Sequence, residues 1–180
     1  MSDNNNGNKY TFDSFSVTDA NRTAFEKAKQ FAENADSKPL AIFGGTATGK
    51  TYLLYSVKKA IEQNSPELRV ILTTTAETQN TLIDTLHNGS TAEQFREKYM
   101  QADVLLVDDI QELAGKEAIQ NELILIFNSF YESGKRFMMT SSQKEAGYGI
   151  QNRLVIREFW GDFAVITRSY IHAQFQSDAE

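Results

Sequence analysis

Cysteine is absent from this 180-residue chain. Disulfide bridges and thiolate-held metals are therefore excluded. Histidine occurs only as His87 and His172, far apart in sequence. Each reads as a surface residue rather than a zinc ligand. No apolar run approaches membrane-spanning length. The stretch from Met1 to Asn8 is polar and lacks the apolar core of a secretory leader. A cytoplasmic chain with no membrane contact is expected. Positive charge is also scarce. Eighteen Lys and Arg against 24 Asp and Glu leave a formal net charge of −6. Tight non-specific binding to duplex DNA rests on Lys and Arg neutralising phosphates. This surface as a whole is not built for that, although a local basic path stays open. No internal repeat is visible.

What is present is an ordinary globular composition, 41% apolar and 23% charged. That length and balance favour one domain with a substantial core. The Asn-rich residues 1–9 read as a disordered tail, and residues 10–180 as the domain. The chain is organised around Gly44-Gly45-Thr46-Ala47-Thr48-Gly49-Lys50-Thr51. This matches G-x-x-x-x-G-K-[ST], the phosphate-binding loop called Walker A. Glycines let the backbone turn tightly and bring N–H groups close to phosphate oxygens. The following helix points its positive end at the same phosphates. Lys50 adds a point charge for the outer phosphates. Thr51 offers a hydroxyl to magnesium. The context is right. Leu40-Ala41-Ile42-Phe43 reads as a buried strand, with Pro39 at its entry. Leu53, Leu54, Val57, Ala60 and Ile61 then share one helical face.

Elsewhere strands and helices alternate. Tyr10 to Phe15 is aromatic and reads as extended. A helix is predicted from about Asn21 to Asn34, capped by Asp19 or Asn21, with Ala24, Ala28, Phe31 and Ala32 inward. Arg69 to Thr74 reads as a second strand. Two short helices follow. One carries Leu82, Ile83 and Leu86 and stops near Asn88-Gly89. The other opens with the capping box Ser90-x-x-Glu93 and carries Phe95 and Tyr99. Asp103-Val104-Leu105-Leu106-Val107-Asp108-Asp109 is a buried strand ending in two carboxylates, the Walker B pattern. Asp108 would orient magnesium through water, and Asp109 would polarise the attacking water. A helix from about Lys116 to Ser133 carries a packing stripe of Ile119, Leu123, Ile126, Phe127 and Phe130. Arg136 to Ser142 is a fourth strand with a polar tip, 150–159 a helix, and Asp162 to Thr167 a fifth strand. This alternation predicts a parallel sheet with helices on both faces. Ligands of such sheets sit at the carboxyl ends of the strands, where both Walker motifs and Ser141-Ser142 fall.

At this point the chain resembles a known family. Tyr10 to Phe15 followed by Asn21-Arg22 looks like the opening of the ATPase domain of DnaA, the bacterial chromosomal replication initiator. Phe95 to Tyr99, Asp103 to Gln111 and Leu113 to Glu117 are very similar to that family. The likeness runs from about residue 10 to residue 167. It implies an α/β fold of the phosphate-loop AAA+ type, its five strands ordered 5-1-4-3-2; no lid is expected, because the chain stops before the family's. It implies ATP or ADP and Mg²⁺ as cofactors, and Val17 close to the adenine. The two helices between Thr75 and Met100 look like the initiator-specific insertion, which in the family helps line a path for single-stranded DNA. Arg153-Leu154-x-x-Arg157, with Trp160-Gly161, looks like the motif supplying an arginine finger to a neighbouring subunit. Val155, Ile156 and Glu158 depart from that motif.

Other departures bear on function. Ala47 replaces a loop glycine, and Thr18 stands where a glycine is common. Ser142 stands where an aspartate usually serves as first sensor. Ala118 occupies an often basic position, which counts against single-stranded DNA contact stronger than weak. Sequence-specific duplex binding is not expected. The chain stops before the family's lid and its helix-turn-helix domain. A short paralogue comparable to Hda-type regulators and a piece of a longer initiator both fit that observation. The leading expectation is an ATP-binding DnaA-like module acting in replication initiation or its regulation. It would meet a DnaA-type initiator, or itself, through AAA+ contacts. The alternatives are a catalytically weak interaction protein that joins or caps initiator assemblies, and a helicase-loader ATPase. Hydrolysis is expected to be slow and assembly-dependent.

Overall fold

The computed structural model describes residues 10–142 and 161–167. Five strands form one parallel sheet: β1 (Leu40–Gly44), β2 (Val70–Thr74), β3 (Val104–Asp108), β4 (Arg136–Ser141) and β5 (Asp162–Ile166). Their order is β2-β3-β4-β1-β5, which is the expected order read from the other edge. Among the described residues five α-helices connect or flank them: α1 (Arg22–Glu33), α2 (Lys50–Asn64), α3 (Thr75–His87), α4 (Ala92–Met100) and α5 (Glu117–Glu132). A 3-10 helix, Ile110–Leu113, follows β3 and had no signature in the sequence pattern.

The apolar run of β3 is continuous because both faces of the sheet are covered. Side chains alternate across a strand. Val104 and Leu106 enter a core shared with Ala24, Phe31, Leu53 and Val57 of α1 and α2. Leu105 and Val107 enter the opposite core with Phe95, Leu123 and Phe127 of α4 and α5. β4 divides in the same way: Met138 faces the first core, and Phe137 and Met139 the second. Phe127 stacks on Phe137 with ring centroids 4.8 Å apart. The predicted inner stripes of α1 and α5 are buried as expected.

Three local readings are corrected. Tyr10 to Phe15 is a turn rather than an extended segment: the Phe15 N–H donates to Phe12 O at 3.3 Å. The turn lets Phe12 and Phe15 pack on Phe25, and Tyr10 on Tyr52 and Tyr55. The capping box of α4 is Thr91 with Gln94, one residue beyond Ser90 with Glu93. Asn21 stands at the N-cap of α1, but its side chain does not cap the helix. It accepts from the Thr18 N–H at 2.8 Å and donates to Ser16 O at 3.0 Å, bracing the preceding loop instead. The three apolar residues named on α3 divide: Leu82 is buried, and Ile83 and Leu86 are exposed. The expected tail at 1–9, the helix at 150–159 and both arginines of the finger motif lie outside the described residues. Among the described residues no helix is long and apolar enough to cross a membrane.

Candidate functional site

The site forms where β1, β4 and β3 end side by side. β4 lies between the other two, so its tip is held between the phosphate loop and the carboxylate pair. β1 runs into the loop at Gly44. A Cβ there would stand 2.9 Å from Thr48 Oγ1 and 3.0 Å from Ile166 Cβ, so only glycine lets the loop close on β5. Gly49 begins α2 at φ +97°, a conformation glycine adopts without cost. The ring of Phe15 lies directly over it, 2.9 Å from where a Cβ would sit. Ala47 takes a left-handed φ of +60° with its Cβ in place. This is the local demand that the missing glycine creates.

None of the N–H groups of Thr46, Ala47, Thr48 and Gly49 donates to a protein acceptor among the described residues. The loop is thus a cradle of free donors at a helix N-terminus, suited to an anion. Thr48 Oγ1 donates to Gly45 O at 2.8 Å and braces it. Lys50 is buried, and its Nζ donates to Gly44 O and Gly45 O, both at 2.8 Å. Burial pushes its pKa down, while the Asp109 and Asp108 carboxylates hold it up. Among the described residues the ammonium hydrogen-bonds only carbonyls, so its charge is available to an anion at the loop.

Thr51 Oγ1 donates to Asp108 Oδ2 at 2.6 Å, across 57 residues of sequence. The other oxygen, Asp108 Oδ1, accepts from Thr140 Oγ1. A hydroxyl and a carboxylate meeting beside the anion cradle are hard oxygen donors of the kind magnesium takes. The residues present therefore fit a Mg²⁺–nucleotide. Asp109 follows at φ +58°. Its N–H donates to Thr140 Oγ1 at 3.0 Å, and its C=O accepts from Thr75 Oγ1 at 3.0 Å. Its Oδ1 accepts from Gln111 Nε2 at 2.9 Å, and Gln111 Oε1 accepts from the Ser142 N–H at 2.9 Å.

The structure therefore brings Gly44 through Thr51, Asp108, Asp109 and Ser142 to one place. Val17 is 36% exposed and follows the aromatic turn that touches Gly49. Arg157 is outside the described residues. Sequence reasoning did not single out Thr75, Thr140 and Gln111. Thr75 is the residue after β2, and Thr140 sits one position inside the Ser141-Ser142 tip. The sheet order expected from the resemblance puts β4 beside β3, which was the available signal for Thr140. The cavity of about 390 Å³ lined by Lys27, Phe31, Leu40 and Asp162 lies at the opposite, amino end of the strands. That end of a parallel sheet is not where its ligands bind.

Fold and site together define a phosphate-loop ATPase domain of the AAA+ kind. The sequence profile of the bacterial DnaA ATPase domain matches residues 6–164, and the chain belongs to that family. The chromosomal replication initiator protein DnaA of Thermotoga maritima is 40% identical over 151 residues, covering 82% of this chain and 34% of that protein. DnaA of Geotalea daltonii is 37% identical over 161 residues, covering 88% of this chain and 36% of its own length. The chain thus spans about a third of the length of these initiators. The crystal structure of domain III of the Thermotoga maritima initiator superposes with a TM-score of 0.83 at 38% identity, covering 88% of this chain and 67% of that one. A replication initiator DnaA bound to AMPPCP and single-stranded DNA gives 0.81 at 34% identity, covering 88% and 50%. The DnaC helicase loader gives 0.70 at 16% identity and shares the fold alone.

Proposed function

We propose that this chain binds ATP or ADP with Mg²⁺ and serves as a DnaA-like module in bacterial chromosomal replication initiation or its regulation. The observation that carries the reading is the meeting of Thr51 and Asp108 at 2.6 Å beside a buried Lys50. The loop from Gly44 to Gly49 would receive the phosphates on its free N–H groups. Lys50 would exchange its two carbonyl partners for phosphate oxygens. Thr51 and Asp108 would hold the metal, which supplies positive charge to the transferring phosphoryl group. Asp109 would polarise the attacking water, and Ser142 would hydrogen-bond that water or the outer phosphate. Val17 would lie at the adenine. Partners in this reading are a DnaA-type initiator or a second copy, met through AAA+ contacts, with single-stranded DNA touched weakly within such an assembly. The domain would run from residue 10 onward, and the setting would be the cytoplasm.

Thermal melting tests the reading. Ligand at about a hundred times its dissociation constant adds roughly 2.7 kcal/mol. At this size the melting point should rise on the order of 5–10 °C with Mg-ATP. Lys50→Ala should erase the rise. An unchanged curve at saturating ATP and ADP would refute nucleotide binding.

A further inference from the structure

Asp109 is held by four hydrogen bonds, one of them from the Glu112 N–H to its carbonyl at 3.1 Å. Thr140 accepts its N–H, and Thr75 donates to its carbonyl. Those backbone bonds fix the main chain and leave the side chain free to turn. Only Gln111 reaches the carboxylate, at Oδ1, and Oδ2 has no donor among the described residues. The left-handed turn at Asp109 makes this reach feasible, because it starts the 3-10 helix that carries Gln111 back over the carboxylate. The carboxamide orientation is not ambiguous. Its oxygen must face the Ser142 N–H and its NH₂ must face a carboxylate, since the reverse would oppose like groups at both ends. Both ends of one side chain are thus used, one on the residue just after β3 and one on the residue just after β4.

We propose that Gln111 is a positioning residue for ATP hydrolysis, fixing the Asp109 carboxylate by one oxygen and tying it to the β4 tip at Ser142. This rests on the nucleotide reading above. A carboxylate that polarises water must keep one oxygen within hydrogen-bond reach of it. Gln111 occupies Oδ1, so Oδ2 is the oxygen presented. Any shift of Ser142 on meeting the outer phosphate passes through one carboxamide to the group that handles water.

The test uses the full chain in single-turnover hydrolysis of radiolabelled Mg-ATP, with binding followed separately by a fluorescent ATP analogue. Gln111→Met keeps the length and removes both hydrogen bonds. Gln111→Glu keeps the acceptor for Ser142 but sets a second carboxylate against Asp109. Both should bind nucleotide like the wild type and hydrolyse it about 10- to 100-fold more slowly, as is usual when a supporting partner of a reacting group is lost. In an Asp109→Asn background, Gln111→Met should cause almost no further loss, because the two act as one unit. Any of these results would overturn the proposal: an unchanged or faster rate in Gln111→Met; a wild-type rate in Gln111→Glu; an equal loss with and without Asp109; or unfolding of both variants, which would make Gln111 structural. A wild-type chain that binds nucleotide yet hydrolyses none over a day also overturns it while sparing the binding reading. A wild-type chain that binds no nucleotide removes the binding reading itself.

Discussion

Ala47 concentrates the cost of this loop in one Cβ. Its φ of +60° is a conformation that L-residues avoid because Cβ crowds the following carbonyl. Glycine removes that crowding, although it gives the unfolded chain more freedom to lose. Ala47→Gly should therefore stabilise the nucleotide-free chain by up to about 1 kcal/mol, read from the urea midpoint at constant slope. A lower midpoint would mean that the loop is not strained at this residue. Lys50 shows a second residue-scale conflict. Its charge is buried before any phosphate arrives, and burial outweighs the nearby carboxylates in setting its pKa. An anion bound beside Lys50 would offset that cost, which would couple stability to nucleotide binding.

At the scale of elements, the informative contact is between α3 and the end of β3. Thr75 is fully buried and shares its hydroxyl hydrogen between Asp108 O at 3.2 Å and Asp109 O at 3.0 Å. The first residue of α3 is thereby joined to the backbone of the carboxylate pair. Thr75→Val keeps the volume and removes the donor from two carbonyls. Asp109 O keeps the Glu112 N–H at 3.1 Å, so the loss falls on Asp108 O and on one of two bonds to Asp109 O. Losing such a buried hydrogen bond costs about 1 kcal/mol, so the melting point should fall by a few degrees. An unchanged melting point would show that the two carbonyls are satisfied without it. The capping of α3 by Thr74 with Glu77 has a clear local signature, and so does that of α4 by Thr91 with Gln94. Ser90 with Glu93 offers the same spacing one residue earlier. Local chemistry permits both boxes at α4, and packing of Phe95 and Tyr99 into the core selects the register.

For the whole molecule, the question is turnover. Asp108 and Asp109 bring no positive charge to a phosphoryl group in transit, and Lys50 is the one cation buried beside them among the described residues. Arginine fingers in phosphate-loop enzymes contribute roughly 10³–10⁵-fold in rate. The chain alone should bind ATP but hydrolyse it very slowly. Adding a DnaA-type partner should raise hydrolysis in the mixture, and Arg157→Ala should abolish that stimulation while leaving the chain's own ATP binding intact. Steady-state phosphate release from the mixed proteins checks this. Stimulation that survives Arg157→Ala would remove the finger and favour a joining or capping role without one.

The sequence by itself determined the strand–loop–helix order, the two Walker motifs, the inner stripes of α1 and α5 and, through the family runs, the strand order. These are legible because each depends on residue type at fixed short spacing, or on a long run matched to a family. Tertiary structure decided what touches what across the sheet. Thr51 reaches Asp108, Thr140 binds both Asp108 and Asp109, and Gln111 spans Asp109 and Ser142. The turn from Tyr10 to Phe15 belongs here too, since its rings fold inward only because Phe25, Tyr52 and Tyr55 are waiting on α1 and α2. No local pattern encodes these contacts. They arise because parallel strands distant in sequence end side by side, and because a threonine or glutamine looks the same in a string whether its partner is water or a carboxylate.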